Sequence, residues 1–314
     1  MGFTHAYGKP IPEAEAIKAI QEAISFGYTF FDTAECYQGV FDDGTLTYNE
    51  SILGKAVKGV RDKVVIASKF GVRHEGTTIV TDSSPSAIRK SIEGSLKRLG
   101  TDYIDLYYQH RIDSRIAPEV VANEMAALIR KGKIKAWGIS EANEEYLRRA
   151  HAVCPVTAIQ NRYSMMFRNY ENLFSVLEKL NVGFVAFSPL ANGLLSDSYG
   201  QFYKFTEQGD YRADMPQFKS EAYEKNGELL ELLRKFAKQK QASPAQISLA
   251  WMMAKKPYIV PIPGSKKIHR IWENAKAADI VLTPQEVKQI DDALDRMQMS
   301  EVFGGHRVIG GEKR

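Results

Sequence analysis

The chain has 314 residues, 44% of them hydrophobic and 25% charged, the balance of an ordinary folded enzyme rather than a disordered or fibrous chain. A net charge of +4, with no run of five or more Lys/Arg, argues against a nucleic-acid binder. Two cysteines, Cys36 and Cys154, make no disulfide framework, no apolar run approaches the roughly 18 residues that span a bilayer, and the N-terminus lacks a signal-peptide layout, so the expected home is the cytoplasm.

In chain order, Ile17, Ile20 and Ile24 recur at helical spacing and Gly27 follows as a C-terminal cap. Thr29 to Tyr37 opens as a β run and carries Asp32 where a buried strand should hold an apolar side chain. Asn49 to Lys58 reads as a short helix, and the Asn49-Glu-Ser51 acceptor motif at its start as chance. Val64 to Phe70 is a strand. Ser84 before Pro85 caps a helix striped by Ile88, Ile92, Leu96 and Leu99. Tyr103 to His110 is a strand, Val121 to Ile129 a helix, Lys133 to Ser140 a strand, and Asn143 to Ala152 a helix. Val156 to Tyr163, Val182 to Leu190 and Tyr258 to Ser265 are the remaining strands. Helices are predicted at Glu171 to Leu180, in Glu221 to Lys240, at Pro244 to Ala254 behind Ser243, and at Lys267 to Ala277. Thr283-Pro-Gln-Glu286 is a capping box that opens a final helix, and the tail after Glu301 is Gly-rich and expected to be loosely held.

This β–α alternation predicts an α/β fold with a parallel sheet covered by helices. An open doubly wound sheet would carry a Gly-x-Gly-x-x-Gly turn after its first strand, and none occurs, so the expected architecture is a (β/α)8 TIM barrel. Only seven strands are legible. The first should precede the first helix, where only Met1-Gly2-Phe3 remains, so the barrel is expected to lack its N-terminal hairpin and most of its first strand. The chain is expected to form one domain over 1–314, with an irregular loop at about 191–220 and a C-terminal helix and tail from about 284. That loop, rich in Tyr and Phe, is expected to fold over a ligand or border its pocket.

A barrel's active site lies at the C-terminal ends of its strands. Asp32, Lys69 and His110 each close a strand, and Tyr37 lies in the loop after the first. A phenol becomes a useful proton donor if a neighbouring cation stabilises its phenolate. Lys69 is the candidate cation, Asp32 its anchor, and His110 a hydrogen-bond donor to a substrate oxygen. Asp32 and Lys69 also fit a purely structural ion pair, and His110 a satisfied core histidine. No Ser-His-Asp, Cys-His or metal-binding pattern is present, so this site needs a bound hydride donor. Ile262-Pro-Gly-Ser-Lys-Lys267 leads into a helix with Arg270, Glu273 and Asn274, a set that favours a phosphate, with a basic surface turn as the alternative.

Phe-Phe-Asp32-Thr-Ala-Glu-Cys-Tyr37, Ser-Lys69-Phe, Asp-Tyr-Ile-Asp-Leu-Tyr-Tyr-Gln-His110, Trp-Gly-Ile-Ser140, Ile-Gln160-Asn-Arg-Tyr-Ser, Phe-Ser188-Pro-Leu and Ile-Pro-Gly264-Ser265 together resemble the aldo-keto reductase family over essentially the whole chain. The resemblance, closest to the branch that includes plant perakine reductase, implies a barrel that reduces aldehydes and ketones reversibly with NADPH, without a metal. It implies Tyr37 as general acid, Lys69 and Asp32 as its tuning pair, and His110 as the group that orients the carbonyl. For NADPH/NADP+ it implies Ser140 and Gln160 at the nicotinamide amide, Phe187 against the ring, and Ser188, Leu190 and Gly193 over the pyrophosphate. Gly264 and Ser265 carry the resemblance at the last strand, where Ser265, Lys267 and Arg270 match the grip on the 2′-phosphate and Asn274 the contact with adenine. The implied partner is a small carbonyl compound, not nucleic acid or a membrane. Many family members carry Asn where this chain has Glu141, and some act as cofactor-loaded regulatory subunits of potassium channels with little turnover.

Overall fold

The computed structural model describes residues 2–75, 78–302 and 307–309. Seven strands form one parallel sheet in sequential order: β1 (Phe30–Asp32), β2 (Val65–Phe70), β3 (Ile104–Gln109), β4 (Ile134–Ser140), β5 (Ala158–Arg162), β6 (Gly183–Phe187) and β7 (Ile259–Pro261). Helices cover it: α1 (Glu13–Ser25) precedes β1, and α2 (Asn49–Ala56), α3 (Pro85–Leu99), α4 (Pro118–Arg130), α5 (Glu144–Val153) and α6 (Phe174–Leu180) each follow a strand. Then come α7 (Ser220–Lys225), α8 (Gly227–Lys240) and α9 (Pro244–Lys255) before β7, and α10 (Ile268–Ala275) and α11 (Pro284–Leu294) after it. The architecture is that of the (β/α)8 barrel. No ladder strand occurs among residues 2–12, where Phe3 and Thr4 are buried. No helix among the described residues is long and apolar enough to cross a membrane.

The local signals explain the helix ends. Ser84, Ser243 and Thr283 each accept the N3 backbone N–H of the helix they open, followed by proline at the first turn, and the latter two close full capping boxes. Gly27 sits just past α1 at φ +95°, a conformation that costs glycine nothing.

Alternation along the strands separates two apolar layers. Phe31, Ile66, Tyr107, Trp137, Ile139, Ile159 and Phe184 face outward and join the large core beneath the helices. Ala67, Leu106, Tyr108, Ala158 and Val185 form a second, inner cluster with Phe30, Ala136 and Ile262 against it, which is the barrel interior. Gly138 in β4 pairs with Tyr108 and Ala158 on either side, and a Cβ there would lie 2.4 Å from both the Tyr108 ring and the Ala158 carbonyl. Gly138→Ala therefore overpacks the barrel interior and is expected to cost about 1–3 kcal/mol, read as a lower urea midpoint.

The structure departs from the sequence expectations in detail. Strands end sooner than predicted, at Phe187 rather than Leu190, where Ser188 turns to φ +50° and leaves the ladder, and at Pro261 rather than Ser265. The helix expected over Glu171 to Leu180 begins as a 3-10 turn, Asn169–Leu173. Two small hairpin pairings were not anticipated, Gln38–Val40 with Leu46–Tyr48 and Val72–Glu75 with Thr78–Thr81. Of the tail, 307–309 pairs in parallel with 78–80 rather than lying loose, and the rest after Val302 falls outside the described residues, as does Met1. The 191–220 stretch contains three 3-10 turns, Ala191–Ser196, Tyr211–Asp214 and Pro216–Phe218.

Candidate active site

The inner face of each strand changes character along its length. Side chains of one parity point inward. Reading that parity toward the C-terminal ends takes Phe30 to Asp32, Ala67 to Lys69, Tyr108 to His110, Gly138 to Ser140, Ala158 to Gln160 and Val185 to Phe187. A greasy interior thus ends in a rim of polar and aromatic groups.

A cavity of about 900 Å³ opens on that rim, at the upper end of the range for small-molecule sites. Asp32, Tyr37, His110, Ser140, Gln160, Phe187, Ser188, Leu190, Gly193, Gly264, Ser265, Lys267, Arg270 and Asn274 all line it. Lys69 alone of the anticipated residues lies behind the wall. It is fully buried, its ammonium ion-paired to Asp32 and donating to the Thr33 carbonyl at 2.8 Å. Burial works against the charged lysine, yet Asp32 and then Tyr37 more than offset it and hold its pKa above the ordinary value. The other Asp32 oxygen accepts from Gln160 Nε2 at 2.8 Å.

The Lys69 ammonium lies 5.0 Å from the centre of the Tyr37 ring. Its field lowers the phenol pKa as the sequence reasoning required, but burial pushes the other way and prevails, so the net shift is upward. Tyr37 is therefore a protonated phenol through neutrality. His110 presents its ring edge-on to Tyr37, with centroids 5.7 Å apart. Burial, then Arg111 and Lys69, hold the His110 pKa well below its usual value, so the imidazole is neutral. Cys36 Sγ lies 3.5 Å from His110 Nδ1, and burial pushes that thiol up to about 12. A protonated thiol can donate to Nδ1, and in that tautomer the ring proton sits on Nε2.

Several lining residues escaped the sequence reading. His5 stacks on Tyr37, centroids 4.4 Å apart and 25° between planes, and burial lowers its pKa to about 3. Arg111, two residues beyond β3, donates from Nη1 to the His110 carbonyl at 2.6 Å and to Ser140 Oγ at 3.2 Å. The irregular stretch straps the cavity mouth to the N-terminal segment. Tyr7 bridges Asp210, Tyr211 N–H donates to the Ala6 carbonyl at 3.1 Å, and Lys9 N–H to Glu207 at 2.9 Å. Lys266 adds donations to the Tyr7 and Lys9 carbonyls. The signal that points to Arg111 is its place directly after a strand-closing histidine. His5 and Tyr7 sit in a segment without periodicity.

Lys267 lines the same cavity as the N-cap residue of α10, whose first-turn N–H groups are uncapped by any side chain. Ser265 Oγ accepts from Lys267 N–H at 3.1 Å. Arg270 is held by Glu273 at 2.6 Å and reaches Ser198 of the strap at 2.8 Å.

Fold and site together define a (β/α)8-barrel protein with its polar cluster at the C-terminal mouth of the sheet. The model of the aldo/keto reductase family matches residues 1–295, and the chain belongs to that family. It is 37% identical to a probable aldo-keto reductase of Glycine max over 99% of this chain and 87% of that protein. Among solved structures it is similar to a glycerol dehydrogenase from Gluconobacter oxydans (TM-score 0.83, 26% identity, 95% of this chain and 91% of the other). It is also similar to an aldo/keto reductase from Klebsiella pneumoniae in complex with NADP and acetate (TM-score 0.68, 25% identity, 93% and 90%).

Proposed function

We propose that this chain is a cytoplasmic, single-domain, NADPH-dependent carbonyl reductase that converts a small or medium aldehyde or ketone to the alcohol, and the reverse. The observation that carries the reading is one cavity lined both by Asp32, Tyr37 and His110 and by Ser265, Lys267 and Arg270. The chemistry of those donors fits the cofactor. A hydroxyl, two cations and open helix-start amides suit a phosphate, and the Ser140 hydroxyl and Gln160 amide, both buried, suit a carboxamide. The Klebsiella relative carries NADP.

Bound NADPH supplies the hydride. The protein's own residues handle the oxygen. Tyr37 gives its phenolic proton to the carbonyl oxygen, and His110 donates to the same oxygen through Nε2–H, the tautomer favoured by Cys36 at Nδ1. Lys69, anchored by Asp32, steadies the phenolate left behind. Phe187 offers an apolar face beside the reacting end.

The test is steady-state NADPH oxidation with a panel of nitrobenzaldehyde, methylglyoxal and pyridoxal, alongside direct NADPH binding. Turnover of at least one carbonyl with saturable NADPH binding is expected. A protein that never takes up NADPH overturns the reading, and one that binds it but reduces nothing favours the regulatory role seen in some relatives. Replacing Lys267 and Arg270 with alanine is expected to weaken NADPH on the order of 10–100-fold, the loss of one or two charge-assisted contacts, and to leave NADH within about twofold. Equal weakening of both would remove these residues from the 2′-phosphate.

A further inference from the structure

Ser140 and Gln160 flank the inner end of the cavity, and each has one hydrogen-bonding role already spent inside the protein. Arg111 Nη1 carries two N–H groups. One is fixed on the His110 carbonyl at 2.6 Å, and the other points to Ser140 Oγ at 3.2 Å. A hydroxyl that accepts from a guanidinium, which never loses its protons, has its own O–H left to donate. Among the described residues the Ser140 O–H has no acceptor, and the side chain is buried against the cavity. Gln160 is set the opposite way. Its Nε2 donates to Asp32 at 2.8 Å, and the Asp32 carboxylate is ion-paired to the Lys69 ammonium. Flipping the amide would set a carbonyl oxygen against that carboxylate, so the Oε1 end of Gln160 must serve as the acceptor.

We infer that Arg111 is a positioning residue for the nicotinamide end of the cofactor, acting through Ser140: with Arg111 polarising the hydroxyl and Asp32 polarising the amide, the pair presents one donor and one acceptor, matching a planar carboxamide in only one of its two orientations. The inference rests on the proposed function. Turning such a carboxamide by half a turn would oppose donor to donor at Ser140 and acceptor to acceptor at Gln160, two unsatisfied buried contacts. Glu141 takes part from below. It occupies a left-handed conformation, φ +57°, and its carboxylate lies 3.7 Å from Arg111 Nε. The side chain that stands where relatives carry asparagine thus braces the guanidinium. Phe187 flanks the guanidinium with its ring centre 5.8 Å away.

The test compares two ligands on the intact chain by calorimetry: NADP+, which has the carboxamide, and adenosine 2′,5′-bisphosphate, which lacks it. R111M is expected to weaken NADP+ about tenfold, while the bisphosphate stays within about twofold, which also reports that the variant is folded. S140A should behave alike, and R111M/S140A should be no worse than either single change, because both remove one contact. R111K, which retains a cationic donor, should recover part of the loss. Equal weakening of both ligands, full additivity in the double variant, or unchanged NADP+ binding with a raised KM confined to carboxylate-bearing aldehydes would each overturn the inference. If the unaltered protein binds the bisphosphate but not NADP+, or neither, it is the proposed function that fails.

Discussion

Tyr37→Phe is expected to lower kcat for carbonyl reduction by about 10²–10⁴-fold while NADPH binding persists. The change is confined to one oxygen. The ring keeps its stack on His5 at 4.4 Å, its edge contact with His110 at 5.7 Å, and the Lys69 ammonium at 5.0 Å from its centre. No cavity opens and no buried donor loses its acceptor, so stability should move little. Steady-state kinetics with a fluorescence titration of NADPH separate the two effects, and wild-type turnover in the variant would take the proton-donating role away from Tyr37. The pH dependence carries a sign of its own. Burial outweighs the Lys69 field and holds the Tyr37 pKa above its ordinary value, so the acid form persists across neutrality. Reduction, which consumes that acid form, should not decline as pH rises through 7 and should fall only above about 10. Alcohol oxidation needs the phenolate and should climb with pH over the same range. A reduction rate that collapses between about pH 6 and 8 would point to an acid of lower pKa.

The parts of this molecule that were legible in the sequence are those where one residue contradicts its surroundings. Asp32, Lys69 and His110 interrupt apolar strands, and the only inexpensive place for such side chains is a strand end that faces a polar mouth. Ser140 and Gln160 came from family resemblance, yet alternation alone reaches them: inward positions run Ala136, Gly138, Ser140 and Ala158, Gln160. Helix starts were legible because capping is local, as at Ser243 with Gln246 and Thr283 with Glu286. The hairpin pairings at Gln38–Val40 and Val72–Glu75 were not, since three or four residues are too few to show a period of two. His5 and the strap contacts of Tyr7 with Asp210 were illegible for another reason. Their positions depend on chain segments far apart meeting over the cavity, and no local pattern records such a meeting. The balance at Tyr37 was likewise hidden: charge partners can be guessed from residue types, but the burial that overrides them is a property of the folded surroundings.

Lys69→Met separates the structural and chemical roles of the buried pair. The methionine stem fills most of the lysine volume, but Asp32 is left in the barrel mouth without its cation. Gln160 still donates to one oxygen at 2.8 Å, and a neutral amide does not replace an ammonium. Leaving a buried charge without its partner typically costs about 3–5 kcal/mol, and that loss is expected in urea denaturation. Asp32→Asn should be costly for the mirror reason, since the fully buried ammonium loses its counter-charge and is left with neutral acceptors such as the Thr33 carbonyl at 2.8 Å. In the double variant both charges are gone, and most of the loss should return, because the desolvation cost disappears along with the attraction. Turnover should not return. Without the ammonium, nothing stabilises the phenolate that forms as Tyr37 gives up its proton, so Lys69→Met and the double variant should both remain impaired in kcat whatever their stability. A double variant as unstable as the sum of its parts would mean that Asp32 and Lys69 are held by other neighbours rather than by one another. A stable double variant with wild-type kcat would mean that the pair is there only for the fold.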